Sequence, residues 1–194
     1  MAFNNFGLNL VRHFNLPSEN SKLQLIAAGM RRKNLLVLEV DVYVIGVYVG
    51  ENFDETYIKE RHTQKGSYFD MGKSSTDHIS VCFTLTFVRS VGTSTLVDTI
   101  VTSLSGNGDE YNKALELFKT TLLNIVGKGI KKNDTVEFCF QGNDASAIGI
   151  GFNNSFGGWV HNEDIRARLI SLYTGERAVV PQVATTISQR YIEN

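Results

Sequence analysis

Proline is nearly missing from this chain: two residues, against seventeen glycines, in a length of 194. That balance argues against long irregular linkers and points to regular elements joined by tight glycine turns. Cysteine is as scarce. Cys82 and Cys139 lie in apolar, strand-like runs with no CxxC spacing, which reads as two buried free thiols in a reducing compartment. Excess charge is lacking too. A net charge of −1 gives no general pull toward nucleic acid or anionic lipid, so neither partner is expected. The histidines His13, His62, His78 and His161 include no pair at metal-ligand spacing, and no metal or cofactor is expected. The long apolar stretch from Leu25 to Gly50 is too short, and too interrupted by Glu39 and Asp41, to span a membrane.

Enzyme signatures fail as well. The segment Gly66-Ser-Tyr-Phe-Asp-Met-Gly72-Lys73-Ser74 has one residue too many between its glycines for a phosphate-binding P-loop. It also precedes a strand pattern, whereas that motif follows a strand and opens a helix. There is no G-x-S-x-G elbow, so covalent acyl chemistry has no support. Lys128, Lys131 and Lys132 read as a solvated turn. The sequons at Asn133 and Asn153 carry little weight without a signal peptide, and residues 1–18 hold too few basic residues for a transit peptide. A cytoplasmic protein is expected; an organelle stays open, because a processed chain would have lost its targeting segment.

What is present is a clear succession of elements. Leu35 to Val40 and Asp41 to Val49 are apolar on both alternating faces, as in covered strands. A short helix is expected around Thr56 to Arg61. From His78 to Arg89 the alternation is cleanest, with Ile79, Val81, Phe83, Leu85 and Phe87 on one face. Helical stripes follow over Thr93 to Ser105 and from about Asn107, where Asn107 and Glu110 have capping-box spacing, to Gly127. Thr135 to Gln141 and Ala145 to Phe152 read as a hairpin around Gly142-Asn143-Asp144. Asn162 caps a helix through Tyr173, Gly175 ends it, and a last helix starts near Val183. With no repeat and no linker, residues 1–194 form one α+β domain, a largely antiparallel sheet with helices on one face.

The candidate site is Arg31 with Tyr43. Arg31 follows Ala27-Ala28-Gly29-Met30, small residues that leave room for close approach. A guanidinium fork matches the two oxygens of a carboxylate, more strongly where water is excluded. Tyr43 adds a neutral hydroxyl. Spacing alone leaves open that Arg31 is a solvent-facing strand end and Tyr43 packed core.

These residues resemble the chalcone isomerase family. The resemblance is carried by Ala28-Gly29-Met30-Arg31, by Val42-Tyr43-Val44-Ile45-Gly46-Val47-Tyr48, and by Phe87-Val88-Arg89-Ser90-Val91. It continues through Gly129-Ile130-Lys131-Lys132-Asn133-Asp134-Thr135-Val136-Glu137-Phe138 and Leu172-Tyr173-Thr174-Gly175-Glu176 with Val180-Pro181, in order, over about residues 20–190. It implies an open-faced β-sandwich with a ligand cleft between sheet and helices. Two functions share that cleft in the family: cyclisation of a chalcone, and, in non-catalytic relatives, fatty-acid binding through an arginine and a tyrosine. Arg31 falls on the shared arginine. Tyr43 falls where the isomerases have a water-organising threonine and the binders a tyrosine. The tyrosine and asparagine that isomerases carry in the next helix are absent from Val91 to Thr102. Leu172 falls near the place of an isomerase threonine or serine.

The resemblance therefore implies a non-catalytic protein, and a monomer is expected. It would bind a fatty acid or similar amphipathic carboxylate through Arg31 and Tyr43, with the tail along strand 78–89 and helix 93–105. The alternatives are an isomerase acting on a chalcone or related enone, with Arg31 as its one catalytic residue, and a ligand-free interaction protein of the same fold.

Overall fold

Alternation at period two builds a sheet in which each strand pairs with the next in sequence. The computed structural model describes residues 13–16, 21–35, 38–50, 53, 58 and 80–191. Among these, seven strands run as an antiparallel meander: β1 (His13–Leu16), β2 (Ser21–Leu35), β3 (Leu38–Gly50), β4 (Val81–Phe87), β5 (Thr135–Phe140), β6 (Ala147–Phe152) and β7 (Ser155–His161). Four helices complete the described elements: α1 (Thr93–Ser103), α2 (Asp109–Val126), α3 (Glu163–Thr174) and α4 (Pro181–Tyr191). The α+β architecture expected from the sequence is what forms. Val81, Phe83, Leu85 and Phe87 join Leu96, Val97, Phe118 and Leu169 in one core between the sheet and the helices.

The first strands differ from expectation. No break occurs between Val40 and Asp41; β3 is continuous there, and its partner is β2, the strand that contains Arg31, Arg32 and Lys33. The charges that broke the apolar pattern belong to the solvent-facing tip of this hairpin. Arg32 Nε reaches Asp41 Oδ1 at 2.9 Å and its Nη1 lies 3.5 Å from Glu39, with all three side chains half exposed. Polar residues cost a strand little once it runs past the layer that covers it. The expected helix over 56–61 lies outside the described residues, save Ile58, which is buried.

Helix ends follow local chemistry. The Asn162 Oδ1 accepts a hydrogen bond from the Ile165 amide at 2.9 Å, capping α3 with Glu163 and Asp164 at its positive end. The Asn107–Glu110 capping box does not form: α2 starts two residues later, after Gly108 at φ 111°, with no side-chain cap. Gly127, at φ 72°, ends it. Pro181 opens α4, two residues ahead of expectation, where its missing N–H has no helical partner to lose. β7 is an element the sequence pattern does not announce, because Asn153-Asn154 stands out there only as a sequon. Both asparagines have positive φ, 53° and 63°, and make the two-residue turn that joins β6 to β7.

The outer face of the sheet is covered by its own side chains. Tyr48 lies over Gly46 and Trp159 over Gly149, each ring within 2.8 Å of where a Cβ would stand. Glu137 lies over Gly151 in the same way and is 2% exposed. Its Oε1 accepts from the Asn154 amide at 3.0 Å. Burial raises the carboxyl to about 7, only partly opposed by that N–H. The native state therefore holds a proton that the unfolded chain has released, between the ordinary carboxyl range and about pH 7.

The stabilising contribution of this protonated acid is full at low pH and is lost as pH rises through about 7. Glu137→Gln keeps the acceptor for Asn154 and removes the titration. Urea melts at about pH 5 and about pH 8 are expected to show wild type losing up to roughly 3 kcal/mol relative to the variant. A gap independent of pH would contradict the assignment.

Candidate functional site

Pairing between β2 and β3 puts Arg31 directly opposite Tyr43, and pairing between β3 and β4 puts Tyr43 opposite Phe87. Side chains so placed are about 5 Å apart at Cβ and share a face. The register then slips: Arg31 pairs with Tyr43 but Arg32 with Asp41, leaving Val42 as the extra residue of a bulge. In a regular strand Asp41 and Tyr43 would share a face, and the carboxylate would sit beside Arg31. The bulge sends Asp41 to the side of Arg32 instead. Arg31 is left with no carboxylate within ion-pairing distance among the described residues.

Arg31 is half-buried, and its Nη1 donates to the Val179 carbonyl at 2.9 Å. Val179 belongs to the connection between α3 and α4, which lies against β2 at Gly29. A Cβ on that glycine would meet Val180 Cγ1 at 2.6 Å. Beside it, the Met30 amide donates to Gln182 Oε1 at 2.8 Å, and Arg190 Nη1 approaches the Ile26 carbonyl at 3.4 Å. Among the described residues β1 pairs only with positions 21–24 of β2, so these α4 side chains serve the strand's outer edge.

Tyr43 is buried, with Phe87 edge-on at 5.4 Å. Its hydroxyl is hydrogen-bonded to Tyr173, brought in by α3. Burial raises the Tyr43 phenol, and the Tyr173 hydrogen bond and the Arg31 charge offset part of this. Tyr173 is raised well above the ordinary range, first by burial and then by Tyr43. Both stay neutral, so each keeps a hydroxyl proton to donate. The arrangement is a half-buried cation beside two coupled hydroxyls, at the edge of an apolar core. It suits a singly charged, hydrogen-bond-accepting group.

Sequence reasoning placed Arg31 and Tyr43 together but missed Tyr173, naming its neighbour Leu172 instead. Leu172 is half-buried at the margin of the core. The spacing of Ile165, Leu169 and Tyr173, one helical stripe, was the signal available. Arg32 and Lys33 are exposed, and Tyr48 lies on the outer face, its phenol pushed up to about 12 by burial. No group of three or more metal-binding side chains occurs among the described residues, and no described helix is long and apolar enough to cross a membrane.

The meander sheet, its single helical layer and the sheet-to-helix position of Arg31 define a chain of chalcone isomerase-like fold. No family model and no curated protein sequence matches it. Among solved structures it is similar to a fatty-acid binding protein of Arabidopsis thaliana, with a TM-score of 0.65 and 16% identity over 92% of this chain and 97% of that one. At that identity the likeness is one of fold, and it agrees with the resemblance read from the sequence.

Gly29→Ala is expected to cost about 1–3 kcal/mol by overpacking against Val180. Combined with Val180→Ala, the two losses should be less than additive in urea melts, because the second change removes the clashing methyl. Strict additivity would mean that Gly29 does not seat this connection.

Proposed function

We propose that this protein binds a fatty acid or a similar amphipathic carboxylate. Arg31 pairs with the head group, and Tyr43, held by Tyr173, donates a hydrogen bond to it. The observation that carries this reading is Arg31 itself: half-buried, bonded to a neutral carbonyl, and without a carboxylate partner among the described residues. A guanidinium withdrawn from water is costly without a counter-charge, and a bound carboxylate supplies one with matching geometry. The single bond to Val179 leaves further N–H groups of the fork for two oxygens. When Tyr173 donates to Tyr43, the Tyr43 proton is left for the guest. The fold shared with a fatty-acid binding protein supports the same reading.

A ligand-free interaction protein is the second reading. It draws on the burial of Leu85, Leu96, Val97 and Ile100, residues expected to line the tail, within one continuous core.

Calorimetric titration with saturated fatty acids of increasing length separates the two. Wild type should bind at least one of them. Arg31→Ala should weaken it by roughly 1.5–3 kcal/mol, about ten- to a hundredfold or slightly more in Kd, and Tyr43→Phe by about 1 kcal/mol. Because Arg31 also holds Val179, Arg31→Gln serves as a control that keeps a donor without the charge. Undiminished binding by a folded Arg31→Ala protein would overturn the head-group assignment. Failure of wild type to bind any chain length would favour the second reading.

A further inference from the structure

On the outer face of the sheet, away from Arg31, Cys82 of β4 stands directly opposite Cys139 of β5, and their sulfurs are 2.8 Å apart. The hydrogen-bond pattern fixes what kind of pair this is. The Phe87 amide donates to the Asp134 carbonyl at 2.9 Å, so positions 87 and 134 form a hydrogen-bonded pair. Alternation along an antiparallel ladder makes 85–136 and 83–138 pairs of the same kind. It makes 82–139 a non-hydrogen-bonded pair, the close kind, with Cα atoms about 4.5 Å apart. That separation lies inside the range a disulfide spans without moving the backbone.

We propose that Cys82 and Cys139 are a redox modification site, oxidised by a small peroxide to a cross-strand disulfide within the folded chain. The site sits in a small apolar cluster with Leu23, Leu25 and Tyr48. Cys139 keeps 4% of its surface exposed and Cys82 none, so an oxidant of hydrogen peroxide's size reaches Cys139 first. The Cys139 sulfur attacks one peroxide oxygen, the O–O bond breaks, and water leaves with the thiol proton, giving a sulfenic acid. The Cys82 sulfur then attacks that sulfur. The S–OH bond breaks, and hydroxide leaves as a second water with the Cys82 proton. Two thiols have lost two electrons and two protons, and the peroxide is reduced to two waters. Burial, and then the neighbouring Cys139, hold the Cys82 thiol well above its ordinary pKa, so the second step is slow. The closed loop joins residues 57 apart and contains α1 and α2.

The test uses the full wild-type chain, treated with hydrogen peroxide, denatured in the presence of an alkylating agent, and weighed intact without reductant. The expected product lacks two hydrogens and takes up no alkyl group, and a peptide map joins Cys82 to Cys139. Its melting temperature should rise by roughly 5–10 °C through loop closure, and fall back on adding dithiothreitol. The Cys82→Ala/Cys139→Ala protein should show neither change. Two alkylated cysteines after treatment, oxygen added to one sulfur without a link, or a disulfide between chains would each overturn the proposal. The wild-type product alone decides the outcome, so a variant that fails to fold does not affect it.

Discussion

Backbone groups along the outer edge of β2 need partners, and the way they find them organises everything near the site. Past residue 24 no described strand lies beyond β2, so the edge is covered by the segment that joins α3 to α4 and by α4 itself. This contact is possible only because position 29 has no side chain to hold Val180 away. Seating that segment has three consequences. It presents the Val179 carbonyl to Arg31, it brings Gln182 to the Met30 amide, and it fixes the end of α3 so that Tyr173 reaches Tyr43. A strand edge that would otherwise invite another chain is thus closed by the same residues that shape the candidate site.

The two faces of the sheet are built by different rules. Toward the helices, β-branched and aromatic side chains meet helical stripes, and alternate residues of β4, from Val81 to Phe87, enter that core. Toward the outside no described helix covers the sheet. Three glycines at 46, 149 and 151 let Tyr48, Trp159 and Glu137 lie flat over the backbone and bury it with their own atoms. A carboxyl withdrawn from water by so thin a layer keeps one amide partner and takes up a proton more readily than usual. On the same face, the β4–β5 register brings Cys82 and Cys139 side by side in their apolar cluster.

What could be read in the sequence, and what could not, divides along the range of the interactions involved. The alternation of Val81 to Phe87, the Asn162 cap and the helical stripes over 93–103 and 109–126 are written in neighbours a few residues apart. Those elements form nearly where expected. β2 is harder, because its polar end looks like a loop until Asp41 and Glu39 are known to stand across from Arg32. Tyr173 is harder still. It meets Tyr43 across 130 positions of chain, and only the packing of α3 on the sheet creates the pair. Arg31 and Tyr43 come together through resemblance, since spacing alone allows a surface arginine and a core tyrosine. Their cross-strand pairing, and the bulge beside it, are facts of register that no local pattern carries.

That bulge bears on the choice between holding an anion and stabilising a reaction. A single extra residue, Val42, turns Asp41 toward Arg32 and leaves Arg31 unmatched beside neutral phenols. An isomerase would need donors aimed at an oxygen whose charge grows as the ring closes, with water placed to move a proton. Here the donors converge from one side: a guanidinium already tied to Val179 and a tyrosine tied to a second tyrosine. Donors fixed by their own partners reorganise little when a charge arrives, whether a ligand brings it or a reaction develops it. A carboxylate brings such a charge, and its two oxygens match a fork that the fold has kept from its nearest acid.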